Sequence, residues 1–330
     1  MNVFNNLRLP SWVWSALGSL VLLAFVFTRS HELNFGIVTA NLTAASFLTL
    51  VGIGQMFPIA TGEGGIDLSI PFVMNFCAFL SIRLITGQPS SVALVVLVAI
   101  AFGAMVGFIN GTIVIRLRVP PIIGTLAVGL IVLTFVEIIS ATGSTTIVDR
   151  QFTDFIRGSF LGVPTPTFIA LALAVVVAIV IRYSPFGWSL LAIGQSRRAA
   201  WLAGINVNRT VFFAYVVSGA VAGLTGVLLA ASVGSADLEL GNPYLLTSVG
   251  AVVLGGNRIA GGTASVVGTA FGALLLSLLI VAVTVAGLPI EAKNIATGLV
   301  ITVVLIAANA PEAHSRVRKF PLLSFIRKVQ

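Results

Sequence analysis

Charged side chains are scarce in this chain of 330 residues: Asp, Glu, Lys and Arg make up 8% of it, whereas hydrophobic residues make up 58%. Soluble domains carry about 25% charged and about 45–50% apolar residues, so the composition excludes an ordinary soluble domain. It predicts an all-α polytopic membrane protein, because about 20 apolar residues suffice for one helical crossing. About ten spans joined by short loops fill this length, which leaves no room for a separate soluble domain.

Cysteine, histidine and lysine are nearly absent. Cys77 is the one cysteine, so no disulfide forms within the chain, and its apolar surroundings predict a buried packing residue. The two histidines, His31 and His314, flank the apolar segments, which disfavours an ion-coupled carrier with titratable groups at mid-membrane. No lysine follows a glycine, which excludes a phosphate-cradling G-x-x-x-x-G-K-[S/T] loop. If ATP supplies the energy, another chain must bind ATP and Mg, so we assign no catalytic residue, metal or cofactor here.

Apolar blocks bounded by polar residues, glycine or proline give the candidate spans. They are 12–28, 37–60, 67–86, 91–115, 121–142, 166–182, 211–232, 244–254, 263–286 and 294–310. The first block lacks a following small-residue cleavage site, so we interpret it as a retained span and not a signal peptide. The block 244–254 is too short to cross alone, so it either continues into Gly255 and Gly256 or ends inside the protein.

The basic residues predict an orientation, because cytoplasmic loops collect Lys and Arg. With the amino terminus inside, thirteen basic residues fall on the cytoplasmic side and five outside, which accounts for all 18. Both termini are then cytoplasmic. The net charge of +8 reflects this orientation and attraction to anionic headgroups, and it calls for no nucleic-acid partner.

Short sequences recur at a spacing of nearly 170 residues. AFGA stands at 101–104 and again at 270–273, and the dipeptide Asp-Leu occurs at Asp67 and at Asp237, each time followed by a proline. These matches predict a duplicated unit of five spans. Because five is odd, the two copies enter the membrane from opposite sides, as in many transporters. Transport is therefore favoured over a receptor, a channel or a membrane enzyme.

The predicted organisation is one transmembrane permease domain over residues 1–330. Its half-repeats cover about 12–142 and 166–310, and a basic cytoplasmic tail occupies 311–330.

The stretch TGEGGIDLSI at 61–70 interrupts the apolar pattern with three glycines and two carboxylates. Asp67 and Ser69 are good N-caps, so one interpretation is a capped helix start at a loop. The other is that this break also lines the solute path, since irregular backbone at membrane depth survives only inside protein or beside a water-filled cavity. Buried Asn and Gln side chains have the same two explanations: a bond to a neighbouring helix, or a contact with the substrate. The candidate pathway residues are Gln55, Glu63, Asp67, Ser69, Asn75 and Asn110.

The longest predicted cytoplasmic connection, 184–209, reads SPFGWSLLAIGQSRRAAWLAGINVNR. Ser196 can cap a short helix that Gly204 ends. A short helix that carries arginines and an exposed Trp201 suits insertion into a groove on a partner protein. The candidate residues of this coupling surface are Gly194, Ser196, Arg197, Arg198, Ala199, Ala200, Trp201 and Gly204.

The pattern G-x4-AIG-x4-AA-x3-GI, which runs over 187–205, resembles the cytoplasmic coupling loop of ABC importer permeases for ribose-type sugars and branched-chain amino acids. GGIDLS at 64–69, GFINGTIVIRLRVPPIIGTLA at 107–127 and VVLGGNRIAGGTASVVGT at 252–269 resemble the same family. GGIDLS is similar to the monosaccharide branch in particular. Gln195 and Ser196 stand where sugar permeases usually have Gly-Asn, and the segment from 235 is a loose match.

This resemblance implies an inner-membrane subunit of a bacterial binding-protein-dependent importer. The implied partners are a second permease copy or a paired permease, a cytoplasmic ABC ATPase, a periplasmic substrate-binding protein and the lipid bilayer. It implies a monosaccharide carried by alternating access. A non-sugar solute such as an amino acid is the first alternative, and an ion-coupled carrier with inverted repeats or a passive channel is the second.

Overall fold

A computed structural model of the chain describes residues 10–29, 35–84, 89–141, 148–289 and 294–300, together with 302, 303 and 306. Twelve helices and one short hairpin are bounded within these ranges. The helices are α1 (Val13–Arg29), α2 (Phe35–Ala60), α3 (Ile70–Leu84), α4 (Pro89–Arg116), α5 (Pro121–Ala141), α6 (Arg150–Arg157), α7 (Thr165–Tyr183), α8 (Pro185–Gln195), α9 (Arg197–Leu202), α10 (Val207–Val233), α11 (Tyr244–Leu254) and α12 (Val266–Val285). The hairpin pairs β1 (Ser159–Phe160) with β2 (Val163–Pro164) in antiparallel fashion.

Six of the described helices, α2, α4, α5, α7, α10 and α12, are long and apolar enough to cross a membrane. The shorter helices α1, α3 and α11 are apolar as well. The prediction of an all-α polytopic membrane protein is confirmed, and every predicted span up to residue 286 contains one of these helices. The last predicted span begins with the helical residues 294–300; its end and the tail 311–330 lie outside the described residues.

Helix α10 lies at the centre of the bundle and packs against α2, α3 and α4. Its contact with α4 is a backbone contact at two glycines. A Cβ added to Gly103 would lie 2.0 Å from the carbonyl oxygen of Gly219, and one added to Gly219 would lie 2.1 Å from that of Gly103. Small residues allow membrane helices to approach this closely, and dispersion between the touching backbones then holds them together.

Replacing Gly103 with valine is therefore expected to destabilise the bundle by at least about 1–3 kcal/mol, the usual cost of overpacking a core. The measurement is the thermal unfolding midpoint of the purified protein in detergent. Gly298→Val is the matched control, because a Cβ there would meet no atom of another helix within 4 Å among the described residues. An unchanged midpoint for Gly103→Val would contradict the close α4–α10 contact.

Three elements were not predicted: α6, the β1–β2 hairpin and α8. Helix α6 is amphipathic and buries Phe152, Thr153 and Ile156. At its end Arg157 donates from Nε to the carbonyl of Ser232 at 2.7 Å and from Nη2 to the carbonyl of Val233. A guanidinium there satisfies the last carbonyls of α10 and stabilises the negative end of the helix dipole. Helix α6 therefore lies at the carboxyl end of α10, at the opposite end of the bundle from α9.

Helix α11 is as short as predicted and ends at Leu254, followed by a turn at Gly255 and Gly256. The irregular segment 234–243 precedes it. Within that segment Gly241 is buried, and a Cβ there would lie 2.4 Å from the carbonyl oxygen of Pro71 near the start of α3. The segment thus extends from the end of α10 back into the bundle. Helix α11 therefore needs to cross only the remaining part of the bundle.

Candidate functional site

The carboxylate of Asp67 lies at the centre of a buried polar cluster between α2 and α3. Its Oδ1 accepts from Ser69 N–H at 3.0 Å, from Ser69 Oγ at 2.6 Å and from Asn110 Nδ2 at 3.3 Å. Its Oδ2 accepts from Ser218 Oγ at 2.8 Å. Asp67, Ser69, Asn110 and Ser218 are each at most 1% exposed. A buried carboxylate needs several donors, and the four donor groups of Ser69, Asn110 and Ser218 supply them while joining the start of α3 to α4 and α10.

The backbone of the break is satisfied by side chains from two further helices. In the amide orientation that matches donors with acceptors, Gln55 Nε2 donates to the carbonyl of Asp67 at 3.0 Å and Gln55 Oε1 accepts from its N–H at 3.2 Å. Thr125 Oγ1 on α5 accepts from Leu68 N–H at 2.9 Å. Non-helical backbone inside a membrane protein requires such partners. The pathway candidates Gln55, Asp67, Ser69 and Asn110 therefore form one cluster.

Asn75 lies apart from this cluster and joins α3 to the segment 234–243. Its Nδ2 donates to the carbonyl of Leu238 at 2.7 Å, and its Oδ1 accepts from Gly241 N–H at 2.6 Å. The side chain is fully buried. This one amide therefore holds the irregular segment of the second predicted half against the first.

Glu63 lies at the α9 end of the bundle. Its side chain is 64% exposed, and Oε2 forms an ion pair of 2.8 Å with Nη1 of Arg197. Glu63 has a φ of +52°, between Gly62 and Gly64 at +74° and +71°. The left-handed conformation is uncommon outside glycine and is sustained only where the surroundings enforce it.

The predicted short helix is present as α9. Ser196 caps it by accepting from Ala199 N–H at 3.3 Å, and Gly204 follows it with a φ of +82°. Ala200 faces inward onto Ile193 and Tyr215. The opposite face carries Arg198, Ala199, Trp201 and Leu202, and the last two are 68% and 71% exposed.

Sequence reasoning missed Ser218 and Thr125, which complete the cluster around the break. Both are small polar residues in apolar helices, and such residues most often bond to their own helix, as Thr125 also does with Pro121. Their spacing carried no signal for a contact with Asp67. Asn110 and Gln55 were identified because a larger amide inside a span is conspicuous.

Helices interrupted inside the protein, with the interrupted backbone enclosed by polar side chains, are typical of multi-pass membrane transport proteins. Residues 18–308 match the family described as "Branched-chain amino acid transport system / permease component", and the chain belongs to this family of ABC importer permeases.

Proteins similar to this chain carry the names of import permeases. The "Autoinducer 2 import system permease protein LsrD" of Salmonella typhimurium (strain LT2) is 30% identical over 314 residues, which cover 92% of this chain and 93% of that protein. The protein of the same name from Salmonella typhi has the same identity and coverage. The one from Escherichia coli (strain K12 / DH10B) is 30% identical over 265 residues, or 78% of this chain and 80% of that protein. No solved structure matches the chain.

Proposed function

We propose that this chain forms the translocation path of an ABC importer for a monosaccharide or a similar small polar solute. A separate cytoplasmic ATPase binds ATP and Mg, a periplasmic binding protein delivers the solute, and a second permease copy or a paired permease completes the path. Family membership, the GGIDLS sequence and the import function named for the relatives support this proposal.

The observation that carries the ATPase assignment is the exposed face of α9. Trp201 and Leu202 are large apolar residues that cost free energy in water, and Arg198 lies beside them. Aromatic residues and arginine are the usual anchors of protein interfaces. We place this face in the cytoplasm, against the ATPase, and both termini on the same side of the inner membrane.

The mechanism is alternating access. Closure of the ATPase pair displaces α9 and shifts the permease between inward-open and outward-open arrangements. Such a shift requires α9 to contact the ATPase differently in the two states, because a partner that binds both states equally moves no equilibrium. Hydrolysis chemistry belongs to the partner, and this chain supplies only the path and the mechanical connection.

The proposal is tested by reconstituting the permease in vesicles with the ATPase and the binding protein encoded by neighbouring reading frames. Uptake of labelled ribose, autoinducer 2 and leucine is measured with and without ATP. We expect uptake of ribose or autoinducer 2 only when all components and ATP are present. Preferential uptake of leucine would instead favour the amino-acid alternative. Uptake by the permease alone under an ion gradient would identify a secondary carrier, and uptake without nucleotide or gradient would identify a channel.

A further inference from the structure

The ion pair between Glu63 and Arg197 joins the two regions that the sequence singled out. Arg197 is the first residue of α9, and Glu63 belongs to the irregular segment 61–69 that leads to Asp67. The oxygen and nitrogen are 2.8 Å apart, and the Arg197 side chain is 32% exposed. Of the two arginines at the start of α9, Arg197 therefore pairs with another segment of the same chain, whereas Arg198 is exposed.

Beneath the ion pair, three backbone segments touch without intervening side chains. A Cβ added to Gly194 would lie 2.0 Å from the carbonyl oxygen of Ala60 and 2.1 Å from the nitrogen of Gly262. Gly262 N–H also donates to that carbonyl of Ala60 at 3.0 Å. The end of α8, the end of α2 and the turn after α11 are therefore in direct backbone contact. A displacement of the α8–α9 corner cannot be absorbed by side-chain rotation here, because the backbones touch directly and the neighbouring segments must move with it.

The segments in backbone contact continue directly into the buried cluster around Asp67. Residues 61–66 connect Ala60 to Asp67, whose carboxylate holds the start of α3 to α4 and α10. Helix α10 contacts both regions: its fully buried Tyr215 belongs to one apolar cluster with Ile193 and Ala200 of the α8–α9 corner, and its Ser218 donates to Asp67.

We infer that Glu63 and Arg197 are positioning residues that transmit the displacement of α9 to the Asp67 cluster, and so couple nucleotide-driven movement to the opening of the path. This inference rests on the proposed function. It assigns Glu63 to the transmission of movement and not to the solute path. The ion pair is expected to contribute little to folding stability, because the Glu63 side chain is 64% exposed.

The test uses the assembled importer in vesicles and counts solute molecules transported per ATP hydrolysed. Glu63→Lys and Arg197→Glu are each expected to lower this ratio at least about fivefold, the lower end of coupling between sites, while the ATPase stays bound. The charge-swapped double variant, Glu63→Lys with Arg197→Glu, restores the opposite charges and is expected to regain most of the ratio. A purely structural role would change the amount of folded complex and leave the ratio unchanged.

The matched control is Arg150→Glu, which breaks the exposed ion pair with Asp154 on α6 at the other end of the bundle. It is expected to leave the ratio unchanged. Three results would overturn the inference: a normal ratio in both single variants, no recovery in the charge-swapped variant, or loss of the ATPase from Glu63→Lys. Failure of the unaltered permease to bind any ATPase would instead refute the proposed function, so the two failures are distinguishable.

Discussion

Reversing both arginines at the start of α9, Arg197→Glu with Arg198→Glu, is expected to abolish co-purification of the ATPase while the permease still inserts into the membrane. The double variant replaces the arginine beside Trp201 on the exposed face with a negative charge, and it places a second negative charge next to Glu63. Like charges juxtaposed across an interface cost several kcal/mol, and a 1.4 kcal/mol loss already weakens binding tenfold. The measurement is the amount of ATPase recovered with affinity-tagged permease from detergent-solubilised membranes.

The control for this experiment is Arg197→Glu alone, which leaves Arg198 and Trp201 in place and is expected to retain the ATPase. Insertion is verified by the yield and size-exclusion profile of the permease. Normal recovery of the ATPase with the double variant would show that docking occurs elsewhere on the chain, and the assignment of α9 would be wrong.

Replacing Asp67 with alanine is expected to lower uptake at least about tenfold. The change removes the acceptor of Ser218, Asn110 and Ser69 in a fully buried cluster. Each donor left without an acceptor costs about 1–3 kcal/mol. Asn110 Nδ2 still donates to Ser69 Oγ at 2.8 Å, but Ser218 loses its bond to the start of α3, which is then no longer held to α10 by this contact. Uptake per folded permease is measured in vesicles containing the complete importer, so that any loss of protein is accounted for separately.

Two variants define what the Asp67 result means. Asp67→Asn keeps the size of the side chain but turns an amide N–H₂ toward a donor, and it is also expected to impair uptake. Asp154→Ala removes a carboxylate that is 69% exposed on α6 and is expected to have no effect. Normal uptake by Asp67→Ala would show that the cluster is dispensable for transport.

The membrane-spanning helices could be predicted because apolar run length alone determines a crossing. The short helix α9 was predictable for a different reason: Ser196 and Gly204 are chemically specific start and stop signals. Helices α6 and α8 also begin at capping residues, Asp149 and Ser184, but neither helix is long enough to cross a membrane, and the sequence analysis missed both. Helix α6 has eight residues, and its fold depends on burying Phe152 and Ile156 against other elements. That is a tertiary contact, which local sequence does not encode.

The membership of the buried cluster was only partly predictable. Gln55, Asp67, Ser69 and Asn110 stand out as polar residues within apolar spans, but their mutual contact depends on how α2, α4 and α10 are rotated against one another. The glycines Gly103 and Gly219 determine that packing through backbone contact, and a helical periodicity gives no register between helices. The ion pair of Glu63 with Arg197 was hidden for the same reason.

The division into half-repeats, 12–142 and 166–310, stays a prediction that rests on the recurring sequences. Asp67 and Asp237 occupy equivalent places in it, yet their environments differ. Asp67 is buried among four donors, whereas Asp237 is exposed and its Oδ1 accepts from Glu239 N–H at 2.7 Å. If the halves are duplicated, the two copies have diverged in the role of this residue.

The orientation of α9 relative to the segment 234–243 tests the account most directly. In a Cys77→Ala background, single variants Arg198→Cys and Asp237→Cys are exposed to a membrane-impermeant maleimide, first in intact cells and then after the membrane is opened. Both positions are exposed, whereas Cys77 is fully buried. We predict that Asp237→Cys reacts in intact cells and that Arg198→Cys reacts only after opening. Reaction of both from the same side of the bilayer would contradict a permease with mirrored halves and a cytoplasmic coupling helix.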